Sequence, residues 1–168
     1  DGHKVRRPVL VEAPRSFVGV TDTLCAIGKK LAGKKRITVV AGGIAGPLDA
    51  KKTGLAKSTH LPYLVGKPMK QELHRLFKVP VALDNDNALA GVGEATHGSG
   101  RGKTIIAYIG IGTGIGGCRI VDGNLDRNAS GFEPGHHFLQ YDVKDHKHMS
   151  AHPGDWESIV SGMGMQAR

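Results

Sequence analysis

Eight consecutive residues constrain this chain more than any others: Gly110-Ile111-Gly112-Thr113-Gly114-Ile115-Gly116-Gly117. On one side lies the strand-like run Thr104 to Ile111, on the other Cys118 to Val121, followed by the turn pair Asp122-Gly123. Alternation of this kind predicts two strands joined by a glycine-rich turn. Backbone amides uncovered by side chains converge readily on phosphate oxygens, and Thr113 adds a hydroxyl donor. Gly112 to Gly117 formally satisfies the dinucleotide pattern, but that pattern needs a helix next, and a strand and turn follow instead. No Gly-Lys-Ser/Thr ending makes it a Walker loop. An ordinary tight hairpin is the alternative, although so many glycines exceed what a hairpin needs.

The rest of the composition sets bounds. At 168 residues the chain is long enough for one buried domain or for pieces of two lobes. Its 25 glycines point to tight turns and close backbone approaches. No apolar run approaches the roughly 20 residues needed to span a bilayer, and the first residues lack the apolar stretch of a secretory signal. Cys25 and Cys118, far apart, read as reduced thiols of a cytoplasmic protein. The net charge of +8 suits anionic partners such as nucleotide phosphates. Its clusters, Lys29-Lys30, Lys34-Lys35-Arg36 and Lys51-Lys52, carry no interleaved aromatics, so nucleic-acid binding is not expected.

Before the glycine turn, the pattern alternates strand and helix, which predicts an α/β fold. Strands are expected at Pro8 to Glu12, Ile37 to Ala41 and Val79 to Leu83. Asp22 to Ala32 places Leu24, Ile27 and Leu31 on one helical face and ends at Gly33. Gly42 to Pro47 reads as a turn or loop. Lys67 to Lys78 is the clearest helix, with Pro68 at its start and Met69, Leu73, Leu76 and Phe77 on one face. Asn87 to His97 carries a small-residue face, Ala88, Gly91 and Ala95, suited to close packing. Gly98 to Gly102 is the best hinge, which divides the chain into 1–102 and 103–168. Trp156 to Val160 opens a further helix.

The chemistry-bearing residues cluster in two places. Leu83-Asp84-Asn85-Asp86-Asn87 ends a strand and begins a helix, and α/β proteins bind ligands at the C-terminal ends of their strands. One such residue suffices to cap a helix. Four in succession fit a carboxylate base, Asp86, with Asn85 to orient a hydroxyl-bearing substrate. Downstream, Glu133-Pro134-Gly135-His136 and Glu157 are polar residues able to grip ring hydroxyls, though singly such residues are more often solvated or structurally paired.

Four segments in order resemble one family. Leu83-Asp84-Asn85-Asp86-Asn87-Ala88 resembles an Asn-Asp-x-Asn-Ala motif, and the glycine turn a Leu-Gly-Thr-Gly-Ile-Gly-Gly phosphate motif. Glu133-Pro134-Gly135-His136 resembles Glu-x-Gly-His, and Gly154-Asp155-Trp156-Glu157 with Ser161-Gly162 resembles Gly-Cys-x-Glu followed by Ser-Gly. Together they are similar to the ROK family of repressors, open reading frames and sugar kinases, which includes bacterial glucokinases. The resemblance implies the actin-like ATPase fold, two ribonuclease-H-like lobes with sugar and ATP between them. It implies that Asp86 activates the 6-hydroxyl of a hexose, most simply glucose. Asn85, Glu133, His136 and Glu157 would bind the sugar, and Gly112, Thr113, Gly114, Gly116 and Gly117 the phosphate. ATP and Mg²⁺ are the implied cofactors, and a homo-oligomer is compatible with the pattern.

Departures from the family pattern qualify these expectations. The opening Asp-x-Gly-Gly-Thr phosphate motif is missing and the C-terminal lobe is short, so the chain is expected to be a fragment of a protein about twice its length. The family's zinc cysteines fall on His148, Ser150 and Asp155. His136, His148 and Asp155 could ligate zinc by their chemistry, but without thiolates zinc is not expected. The competing function is a sugar-sensing regulator of the same family, which binds sugar without phosphorylating it.

Overall fold

The computed structural model describes residues 7–58, 60–126, 133–139 and 154–166. The chain forms two compact units, Asp1–Asn85 and Asp86–Arg168. The division falls inside the polar run, and the expected hinge Gly98 to Gly102 is the connection that follows in the second unit.

In the first unit, helix α1 (Phe17–Ala32) starts at Ser16, whose hydroxyl accepts the Gly19 amide at 3.1 Å. It stops at Gly33, which takes φ 59° and donates to the Lys29 carbonyl. Lys29 and Lys30 occupy its last turn, at the negative end of the dipole. Strand β1 (Val40–Ile44) pairs in parallel with β2 (Val81–Asn85), Val40 opposite Val81 and Ile44 opposite Asn85. Between them lies helix α2 (Met69–Phe77), closed by Lys78 in the left-handed conformation at φ 55°. Met69 and Leu73 from α2 pack with Leu55, Leu64, Val81 and Leu83 into the core of this unit.

Two expectations are corrected here, and the buried face of α1 is a finding beside them. Pro8 to Glu12 forms no strand; it is exposed, with Leu10 94% accessible. Strand β1 begins three residues later than Ile37 and runs through Gly42 and Gly43, because the ladder to Leu83 and Asp84 supplies hydrogen bonds that the glycines' weak strand preference does not. The buried positions of α1 are Thr21 and Cys25, whereas Leu24 and Leu31 remain 43% and 37% accessible. Gly28 explains the rotation: a Cβ there would press on the Phe77 ring, so the glycine face is the one that meets α2.

In the second unit, helix α3 (Asp86–His97) lies against a three-stranded antiparallel sheet, β3 (Ile105–Ile111), β4 (Ile115–Val121) and β5 (Asn124–Leu125). The small face works as expected. Ala88, Gly91 and Ala95 are buried, and a Cβ on Gly91 would strike the Cys118 thiol. Ile120, fully buried, forms the core with Ala95 and Cys118. The α3 C-terminus is secured by Glu94, whose carboxylate accepts the Ser99 amide at 2.9 Å and its hydroxyl at 2.8 Å. Those bonds, the amide foremost, hold the Glu94 carboxyl below its ordinary range. Asp122 and Gly123, at φ 50° and 75°, make the two-residue turn between β4 and β5. Beyond the sheet come a 3₁₀ turn (Pro134–His136) and two short helices, α4 (Trp156–Val160) and α5 (Gly162–Gln166). Among the described residues, no helix is long and apolar enough to cross a membrane.

Candidate active site

The glycine run folds as a hairpin centred on Thr113. Ile111 stands opposite Ile115, Gly110 opposite Gly116 and Ile109 opposite Gly117. Only Gly112, Thr113 and Gly114 form the turn; Gly116 and Gly117 lie inside β4. The two groups of glycines therefore serve different ends. Gly112 and Thr113 are exposed, and the Thr113 and Gly114 amides have no hydrogen-bond partner among the described residues. Gly116, with Gly110 across from it, instead makes a notch for Asn87, since a Cβ at either glycine would collide with the Asn87 side chain.

That notch fixes Asp86. Its Oδ1 accepts the Asn87 amide at 2.9 Å and the Asn87 Nδ2 at 3.3 Å, while the carboxylate itself is exposed at the start of α3. Asn87 thus ties Asp86 to the turn end of the hairpin. The signal for this was in the sequence: Gly110-Ile111-Gly112-Thr113-Gly114-Ile115-Gly116 reads the same in both directions about Thr113. Such symmetry pairs glycine with glycine across the hairpin.

The downstream segments meet at the same turn. Ile115 donates its amide to Glu157 Oε2 at 2.7 Å, and the amides of Gly162 and Met163 reach the carbonyls of Gly112 (2.7 Å) and Thr113 (3.2 Å). Gly135 packs so closely on Ile115 that a Cβ would strike its carbonyl, which sets the 3₁₀ turn carrying Glu133 and His136 beside the hairpin. His137 and Gly154 carbonyls accept the Trp156 and Leu139 amides, joining 133–139 to 154–157. Asp155, fully buried, caps α4 by accepting the Ser158 amide at 2.8 Å, and its other oxygen meets His136 Nδ1 at 3.1 Å. His136, Asp155, Glu157 and the glycine turn are therefore gathered in the second unit. Glu133 is exposed at the head of its turn, and His148 lies outside the described residues. Among the described residues, no group of three or more metal-ligating side chains forms.

Asn85 belongs to the first unit. Its Nδ2 donates to the Gly46 carbonyl at 3.1 Å, and its amide donates to Asp84 Oδ1 at 3.0 Å. Asp84 Oδ2 pairs with Lys52, a residue at φ 52° in the loop that follows β1. Asp49 organises that loop by accepting the amides of Lys51, Thr53 and Gly54 and the Thr53 hydroxyl. The Thr53 hydroxyl is the main reason the Asp49 carboxyl sits below its usual range. An Asp three residues ahead of a Lys-Thr-Gly turn was the available signal. A cavity of about 1270 Å³ also lies in this unit. Its lining is largely apolar, including Leu24, Ile27, Leu73 and Leu83, with Lys35 and Arg36 and, among the described residues, no carboxylate to serve as a base.

A family model described as "ROK family" matches residues 14–168. This chain belongs to the ROK family. A putative fructokinase of Bacillus subtilis is 33% identical over 138 residues, covering 75% of this chain and 44% of that protein. An N-acetyl-D-glucosamine kinase of Yersinia pseudotuberculosis is 28% identical over 169 residues, covering 95% of this chain and 52% of that protein. Among solved structures, a ROK family glucokinase from Streptomyces griseus in complex with glucose and AMPPNP superposes with a TM-score of 0.76 at 26% identity. That match covers 92% of this chain and 49% of the other. The ROK chain described here thus has the actin-like ATPase type of α/β fold and spans about half the length of the relatives it matches.

Proposed function

We propose that this chain is the sugar-holding and phosphate-cradling part of an ATP-dependent hexose kinase. The observation that carries the reading is the turn Gly112-Thr113-Gly114, where two amides and a hydroxyl have no partner among the described residues, in the same unit as Asp86, Glu157 and His136. A phosphoryl group needs such donors, and an acceptor hydroxyl needs a carboxylate within reach. In this reading Asp86 takes the proton of the 6-hydroxyl as its oxygen attacks the γ-phosphorus of ATP, and ADP leaves. Asn85, Glu133, His136 and Glu157 hold the hexose. Thr113 and Gly114 contact phosphate directly through their amides and the Thr113 hydroxyl, Gly112 shapes the turn by donating its amide to the Gly114 carbonyl, and Gly116 and Gly117 act by permitting the hairpin to form. Mg²⁺ accompanying ATP would offset the phosphate charge. Glucose is the first hexose to try, and the cytoplasm, where ATP is supplied, is the compartment. The lobe assignment, 1–102 and 103–168, belongs to the same reading.

The test is ATP-dependent phosphorylation of a panel of hexoses by the full-length protein. Transfer to at least one hexose, with ADP formed in equal amount, is expected. Sugar binding without transfer to any of them would favour the regulator reading instead.

A further inference from the structure

Glu157 stands at a point where its charge matters twice. Its Oε2 accepts the Ile115 amide at 2.7 Å and lies so close to Gly114 that a Cβ on that glycine would meet it at 2.5 Å. The side chain is half-buried, where a charge is less screened than on open surface. The amides of Thr113 and Gly114, which have no partner among the described residues and would receive phosphate, belong to the two residues just before Ile115. A full negative charge is therefore fixed beside the place an anion would have to occupy. Two like charges a few ångströms apart in a partly buried site repel strongly.

We infer that Glu157 couples the two substrates: its carboxylate disfavours nucleotide phosphate at the turn until sugar hydroxyls hydrogen-bond to it and disperse its charge. The inference rests on the kinase reading above and gives one of its sugar contacts a second role, as a positioning residue for the phosphate turn. Oε2 is engaged by Ile115, and Oε1 makes no hydrogen bond among the described residues, so one oxygen serves the turn and the other can serve the sugar. The arrangement guards against hydrolysis, because ATP would be held well only when an acceptor hydroxyl is in place.

The experiment measures binding of the ATP analogue AMPPNP to the full-length protein, with and without the hexose that it phosphorylates. In the wild type, saturating hexose should tighten AMPPNP binding about tenfold. In Glu157→Gln, which keeps an oxygen for the Ile115 amide but removes the charge, sugar-free AMPPNP affinity should rise about tenfold and the gain on adding hexose should largely vanish. A side chain that only touched sugar would leave the sugar-free affinity unchanged, and one that only braced the turn would leave it equal or lower. Either outcome overturns the inference. A wild type that binds AMPPNP equally well with and without hexose also overturns it, whether or not the variant folds. A wild type that binds no AMPPNP at all sinks the kinase reading, and the inference with it.

Discussion

The glycines of the hairpin look interchangeable in the sequence and differ sharply in the fold. At Gly112 a Cβ would meet nothing within 4 Å, whereas at Gly116 it would run into Asn87. Gly112→Ala should therefore change stability by less than about 0.5 kcal/mol. Gly116→Ala should cost about 1–3 kcal/mol, through the forced displacement of Asn87. Thermal or urea unfolding of the two variants checks the contrast, and equal losses would contradict the notch. Asp86 is bound into the same arrangement, so its exposure is controlled rather than incidental. If it is the base, Asp86→Ala in the full-length protein should lower kcat by at least about a hundredfold. Sugar affinity should stay within about tenfold, because a base acts chiefly on the transition state. Steady-state kinetics with sugar titration separates the two effects, and unchanged kcat would remove Asp86 from that role. Asp86 could be singled out in the sequence because a strand end with four polar residues is unusual. The part played by Asn87 was not legible there, since it depends on the register that sets Gly110 against Gly116.

At the scale of elements, periodicity found the helices and misjudged what surrounds them. Helix α2 and the small face of α3 follow directly from residue spacing. Strand β1 was displaced because glycine pairs read as breakers, while the ladder to β2 holds them extended. Pro8 to Glu12 has the composition of a strand but no partner to pair with among the described residues. Pairing partners are a tertiary fact, invisible in a local run. The loop around Asp49 is similar: its residues suggest a turn, yet only the fold shows one carboxylate receiving three amides and a hydroxyl. Because folding lowers the Asp49 pKa, its contribution is in full force above the ordinary carboxylate range and fades as pH falls through the lowered value. Hydrogen exchange at the Thr53 and Gly54 amides should accelerate on acidification through that window, after correction for intrinsic rates. In Asp49→Asn, exchange should already be fast at neutral pH and lose this acid-dependent step. An identical pH profile in the two proteins would contradict the assignment.

For the molecule as a whole, four short motifs in a fixed order identified the family, and the match over residues 14–168 bears that out. Order carries such weight because each motif alone has a mundane use: a cap, a hairpin, a 3₁₀ turn, a helix start. What no motif could reveal is how the second unit closes on itself, with 133–139 and 154–163 both fastened to the hairpin. This mutual fastening is the physical basis for reading the turn as a phosphate cradle with sugar-binding groups beside it. The most direct check of that account follows phosphorus from the γ-position of ATP, by ³¹P NMR, in the full-length protein supplied with hexose. The account predicts a hexose 6-phosphate resonance growing as ATP declines, with none formed by Asp86→Ala. Phosphate released only to water, or a phosphorylated hexose formed equally well by Asp86→Ala, would contradict it.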